Sequence, residues 1–345
     1  MISSLTTLRW FAALYVFLFH IQMRAELTSS PVGSVLISGY TGMTFFFVLS
    51  GFVLAYRYVD SSGTYSSFVI SRLARIYPAF LVAFLLSIPT IDGVGSELFA
   101  LNFGMNLTLQ QAWTPNLFSL GINSGTWSLS AEMFFYLLFP VARPLILSSA
   151  DRASKLWMML AVFWVLSFLP GLVEYLLPLP GSTGFYYSSP IYRLPEFLVG
   201  ITIADLWRGG HLKRLSGSAV FGAASAFASI CVYTDGMKGG SLTLLNLVAI
   251  PFFGSLIAWS AKERPTFLEW RPLVYLGEIS YGIYIYQLTF LVSLYPVLKK
   301  AALGSYTIAI LGLVFSCALA SLSFHFLERP VRAFVRSALK SRRGA

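Results

Sequence analysis

Residues 5–24 read LTTLRWFAALYVFLFHIQMR, an apolar run broken at depth by one arginine, Arg9, and one histidine, His20. About 20 apolar residues in a helix cross a hydrocarbon core of roughly 30 Å, and this run has that length. No basic segment precedes it, and Arg24-Ala25-Glu26 is no small-residue cleavage site, so it reads as a retained helix rather than a leader. Apolar runs of similar length recur as far as Phe326. Of 345 residues, 57% are hydrophobic and 11% charged, against roughly 25% charged in an ordinary globular domain. A chain of that composition cannot cover itself with polar side chains in water. The expected fold is therefore all-α: a polytopic membrane bundle of about ten transmembrane helices at 5–24, 40–58, 76–91, 127–146, 156–177, 190–207, 215–234, 241–261, 272–297 and 302–327.

Most of the 24 Lys and Arg then fall on the side of the N-terminus: Arg57, Arg72, Arg75, Arg143, Arg152, Lys155, Arg208, Lys213, Arg214, Lys262, Arg264, Arg271 and those from Arg329 onward. The opposite side holds Arg24, Arg193, Lys238, Lys299 and Lys300. Cytoplasmic loops carry the excess of basic residues, which places both termini in the cytoplasm. The same topology accounts for the net charge of +10 without any nucleic-acid partner. Residues 1–330 make one membrane domain and 331–345 a basic cytoplasmic tail. The longest outer loop, 92–126, contains Asp92 and Glu97 but no Lys or Arg, as suits an exported segment. Its Asn106-Leu107-Thr108 matches a glycosylation acceptor, for which chance is the simpler explanation. Residues 65–76 set Arg72 and Arg75 against Phe68, Val69 and Ile70, the pattern of a short interfacial helix. Glu-Arg-Pro at Glu263 and again at Glu328 reads as a helix stop. Cys231 and Cys317 lie in apolar segments as small hydrophobes, and no metal site is expected.

Ionisable residues at membrane depth are costly, and each points to function or to a partner. Arg9 and His20 are eleven residues apart, close to three turns, so they share one helix face about 16 Å apart along the axis. On the fourth span Glu132 lies within about two turns of the outer surface, near the expected depth of His20. A carboxylate bonded to one imidazole nitrogen raises the basicity of the other, so His20 and Glu132 form a candidate dyad. Arg193 and Glu196 begin the sixth span at a similar level; they could pair with each other or with Glu132. Ser50 and Gly51, within the run from Phe45 to Phe52, allow close approach of either a helix backbone or a thin ligand. On the ninth span Tyr281, Tyr284, Tyr286 and Gln287 offer hydroxyls and an amide.

These residues together resemble the membrane-bound acyltransferase 3 family, bacterial proteins that O-acylate sugars and related exported molecules. The markers are Arg9 with His20, Phe46-Phe47-Val48-Leu49-Ser50-Gly51-Phe52, Arg72 with Arg75-Ile76-Tyr77-Pro78, Trp127-Ser128-Leu129 with Glu132, Arg193 with Glu196-Phe197, Ser280-Tyr281-Gly282, and Glu328-Arg329-Pro330. The resemblance implies acetyl-coenzyme A as donor from the cytoplasmic side, no permanently bound cofactor, and a sugar or polysaccharide acceptor at the outer side. It also implies residence in the bacterial inner membrane, in contact with lipid and with glycan-biosynthesis partners. His20 and Glu132 are then catalytic, Arg9, Ser50, Gly51, Arg72 and Arg75 hold the donor, and Trp127, Ser128, Arg193, Glu196, Tyr281 and Gln287 form an acceptor or structural site. The chain departs from the family pattern at Gln287, where histidine is common, and at Met133, where a second acid often follows the glutamate. Larger relatives carry an extracytoplasmic esterase-like domain, which is not expected here. A transporter or flippase is the competing class, since buried Arg, His and Glu also serve translocation. Against it, no inverted hydropathy repeat is visible.

Overall fold

The computed structural model describes residues 2–58, 64–88, 96–114, 124–147, 153–177, 182–237 and 242–344. Asp92, Arg152 and Lys238 lie outside the described residues. Those residues form helices and no strand: α1 (Ser3–Ala25), α2 (Pro31–Ile37), α3 (Gly42–Arg57), α4 (Tyr65–Ser87), α5 (Ser96–Leu107), α6 (Trp127–Leu147), α7 (Ala153–Leu176), α8 (Ser182–Ser188), α9 (Pro190–Arg208), α10 (Gly217–Tyr233), α11 (Asn246–Glu263), α12 (Arg271–Glu278), α13 (Ser280–Ser293), α14 (Tyr295–Lys300), α15 (Ser305–Ser323) and α16 (Arg329–Gly344).

Seven helices among the described residues are long and apolar enough to cross a membrane. They are α1, the run Pro31–Arg57 containing α2 and α3, α4, α6, α7, Leu242–Glu263 around α11, and Ser305–Ser341. The three other expected spans fall short for separate reasons. Helix α9 carries Arg193, Glu196, Asp205 and Arg208 in 19 residues, and α10 is only 17 residues long. The ninth, expected at 272–297, is broken at Ile279, whose ψ of 0° separates α12 from α13. Exposed Arg271 and Glu278 at the ends of α12 are costly in hydrocarbon, and Gly277 and Ser280 flank the break with weak helix formers.

Two further expectations are corrected. Residues 65–76 are not a separate interfacial helix: Thr64 caps α4 by accepting from the Ser67 amide at 3.3 Å, and the helix runs through to Ser87. Of the two Glu-Arg-Pro tripeptides, only the first ends a helix, where Arg264 takes a left-handed φ of 47°. At the second, a π-helical turn, Phe324–Glu328, carries α15 into α16. Glu328 is buried there and accepts from Arg332 at 3.3 Å. Such a turn relaxes the i to i−4 ladder where Pro330 has no N–H to give.

The chain forms two compact units, Met1–Asp60 with Leu138–Glu278, and Ser61–Leu137 with Ile279–Ala345. In the first, α3 and α9 run in the same direction. Thr44 lies beside Arg193, and the Arg208 guanidinium reaches the carbonyls of Ala55 and Tyr56 at 3.2 and 3.3 Å. Between these ends the two backbones touch. A Cβ on Gly51 would strike the Phe197 carbonyl oxygen and stand 3.0 Å from the Ile201 amide, while one on Gly200 would strike the Val48 carbonyl. Small residues at both positions are what permit that approach, as at other membrane helix crossings. The N-terminal end of α1 is tied down by Ser4 to the Ser260 carbonyl at 2.8 Å and by Thr7 to the Leu268 carbonyl at 2.6 Å. Arg143, expected in a cytoplasmic loop, is instead 4% exposed and forms a buried bidentate pair with Asp205. On α7 the large apolar side chains of Trp157, Met158, Val162, Val165 and Leu169 stay exposed, as they do where the surroundings are hydrocarbon.

In the second unit, the Tyr281 hydroxyl donates to the Ile76 carbonyl at 2.6 Å, joining α13 to α4. Gly282 of α13 packs on Ala320 of α15, and Phe80, Phe84, Phe103 and Phe99 form an aromatic row between α4 and α5. Replacing Gly51 by leucine forces α3 and α9 apart. We expect a loss of about 1–3 kcal/mol, as for other overpacked interiors, read as a lower thermal unfolding temperature in detergent. The same change at Gly222, where a Cβ meets nothing within 4 Å, should leave that temperature unmoved.

Candidate active site

His20 lies near the outer-expected end of α1, half-buried, with its ring 5.0 Å from that of Phe19 and the Val16 backbone within reach. The ring contacts continue from Phe19 to Tyr40 at 5.7 Å and from Tyr40 to Tyr187 at 5.9 Å. The Arg193 guanidinium then stacks over Tyr187 at 5.0 Å and over Phe47 at 5.2 Å. A chain of ring contacts thus connects His20 with the charged residues of α9 inside the first unit. Of the chain's three histidines, His211 and His325 are exposed. Arg9, about three turns nearer the start of α1, is half-buried beside buried Trp10.

The pairing that spacing left open for Arg193 is resolved. It bonds Glu196 one turn on at 2.9 Å, with both side chains at most 1% exposed. Asn246 donates to Glu196 at 2.6 Å and to the Ser167 carbonyl at 3.0 Å, while Thr44 donates to Asn246 at 2.8 Å and accepts from Arg193 at 3.2 Å. This network ties α3, α7, α9 and α11 together. Neither Thr44 nor Asn246 stood out in the sequence, although a lone asparagine opening an apolar helix was the available signal. Gly51 is taken up by packing against α9, so of its two possible uses the structure shows the helix contact.

The second unit gathers the other group. Tyr136, one turn after Glu132, donates a short hydrogen bond to its carboxylate. Arg72 and Arg75 of α4 lie within electrostatic reach of the Tyr136 hydroxyl, and Glu132 within reach of Tyr281 and Tyr284. Arg72 is 7% exposed with its guanidinium 5.8 Å from the Phe68 ring centre. Arg72 and Arg75, expected at the cytoplasmic surface, thus come within electrostatic reach of the tyrosine that bonds Glu132. Ser128 and Tyr284 share a hydrogen bond at 3.0 Å, and Tyr284 also donates to the Gly125 carbonyl at 2.6 Å. Trp127 is buried at the start of α6. Gln287 is fully buried, and neither its amide nitrogen nor its oxygen meets a hydrogen-bond partner among the described residues. His20 belongs to the first unit and Glu132 to the second; a dyad between them rests on sequence spacing alone. Among the described residues no cluster of His, Cys, Asp and Glu could hold a metal ion.

Because Arg193 and Glu196 are both enclosed, truncating one strands the other. Glu196→Ala should cost about 3–5 kcal/mol in unfolding measurements in detergent, and Glu196→Gln, which keeps an acceptor for Asn246, should cost less. The family model described as an acyltransferase domain matches residues 2–325. The chain is 35% identical to acyltransferase MdmB of Streptomyces mycarofaciens over 309 residues, covering 82% of this chain and 77% of that one. It is 25% identical to "Putative peptidoglycan O-acetyltransferase YrhL" of Bacillus subtilis, over 96% of this chain and 55% of that protein, so it spans about half the length of that relative. The figures for "Putative O-acetyltransferase SACOL0978" of Staphylococcus aureus are 25%, 96% and 57%. No solved structure matches. With Arg9, His20, Glu132, Arg193 and Glu196 all inside the matched region, the chain belongs to the acyltransferase 3 family and is a multi-pass membrane acyltransferase.

Proposed function

We propose that the protein transfers an acetyl group from cytoplasmic acetyl-coenzyme A to a sugar hydroxyl of an exported polysaccharide or glycolipid, in the inner membrane of a bacterium with both termini cytoplasmic. The observation that carries this reading is His20: the chain's one unexposed imidazole, on the helix face that also bears Arg9, at the end of a series of ring contacts. An imidazole suits the proton of a sugar hydroxyl. His20 takes that proton as the hydroxyl oxygen attacks the thioester carbonyl. The carbon–sulfur bond then breaks, and the coenzyme A thiolate leaves and is reprotonated. In a two-step version His20 is itself acylated and passes the group on. Arg9 supplies a cation along the donor's path. Gln287, able both to donate and to accept, is assigned to a substrate hydroxyl. The names of the relatives, one of which refers to peptidoglycan, support an acceptor among surface glycans.

His20→Ala should lower ester formation by about 10²–10⁴-fold, the usual contribution of a general base, while the protein still accumulates in the membrane. The measurement is mass spectrometry of the ester content of surface glycans from cells carrying each variant. Undiminished ester content in the variant rejects the role of His20, and movement of glycan without any new ester rejects acyl transfer to it.

A further inference from the structure

An open groove of about 530 Å³ lies in the first unit, lined by Lys213, Arg214, Ser216, Gly217, Trp259 and Lys262, with Glu263 and Pro265 at its edge. Three of these side chains are cations and one is a carboxylate. Lys262 is paired to Glu263 at 2.7 Å, whereas among the described residues Lys213 and Arg214 have no carboxylate within 4 Å, and both are exposed. The groove is also where α10 begins. Ser216 caps that 17-residue helix by accepting from the Ala219 amide at 3.3 Å, so the positive end of the helix dipole adds to the charge of the lysines and the arginine. Trp259 completes the lining with a half-buried indole that lies 3.7 Å from where a Gly217 Cβ would be. A single phosphate does not fill such a space, whereas cations beside an aromatic face match a phosphorylated purine: charge and hydrogen bonds for the phosphates, a ring for stacking.

Its place in the unit adds a second argument. Ser260, next to Trp259, accepts the hydrogen bond that anchors Ser4 at the start of α1. From Ser4, α1 leads past Arg9 to His20, about 24 Å along the axis at roughly 1.5 Å per residue. The groove thus adjoins the start of the helix that carries Arg9 and His20. Arg72 of α4 is a poorer ligand for a polyphosphate, since it is enclosed in the second unit.

We propose that this groove binds the nucleotide end of the acyl donor, with Lys213, Arg214 and Lys262 on its phosphates and Trp259 on its adenine; this rests on the reading that the donor is a coenzyme A thioester. The test is equilibrium binding to the full-length protein in nanodiscs, with coenzyme A, 3′-dephospho-coenzyme A and pantetheine as probes, in zwitterionic and in anionic lipid. The double variant Lys213→Ala with Arg214→Ala should weaken coenzyme A at least tenfold, weaken the dephospho form less, and leave pantetheine unchanged. Trp259→Leu should weaken coenzyme A with no change in pantetheine. Equal coenzyme A affinity in wild type and double variant overturns the proposal while leaving the donor reading intact. So does an equal loss for pantetheine, which would mark a structural effect. Loss confined to anionic lipid assigns the groove to lipid headgroups and overturns it likewise. A wild type that binds no coenzyme A at all overturns the donor reading itself.

Discussion

Hydrocarbon gives a charge nothing to bond with, and the structure of the first unit is organised around that constraint. Arg193 and Glu196 pair at 2.9 Å, and Asn246, Thr44 and two aromatic rings add further contacts to the pair. Every helix that contributes to the network is held where its contribution requires. The approach of α3 to α9 at Gly51 and Gly200 lets the short Thr44 side chain reach Arg193, so backbone packing and charge pairing depend on each other.

The same constraint explains Arg143 and Asp205, which looked like a loop cation and an incidental acid. Each lies too deep to be solvated, and they neutralise each other through two hydrogen bonds, with Arg208 joining Asp205 at 3.7 Å. Arg72, Arg75 and Glu132 follow the rule in the second unit, where tyrosines surround the carboxylate. Gln287 is buried without a hydrogen-bond partner among the described residues, and the half-buried His20 joins the chain of ring contacts that leads to Arg193.

Family membership sets the reaction class, but the division of labour among the charges is a matter of environment. Enclosed ion pairs are poor ligands for a second, larger anion, because a new partner must displace an existing one at the cost of desolvating both. The exposed cations beside Trp259 carry no such cost. This separates the arginines that hold the protein together from the cations available to a substrate, a distinction that a count of basic residues does not make.

The sequence by itself determined that the chain is helical and membrane-spanning, because composition and run length answer directly to the thickness and polarity of a bilayer. It also singled out Arg9, His20, Glu132, Arg193, Glu196 and Gln287, since a polar residue in an apolar run is conspicuous whatever the fold. Helix continuity was less legible. The break at Ile279 and the passage through Glu328-Arg329-Pro330 hinge on one residue's dihedral angle and one π turn, which hydropathy does not register. Partnership between remote segments was not legible. That Arg143 finds Asp205 sixty-two residues away, that Gly51 is filled by the backbone of α9, and that Arg72 comes within electrostatic reach of Tyr136 follow from distances between helices remote in sequence. Tertiary structure decided these, because charge pairing acts over a few ångströms of space and takes no account of separation along the chain.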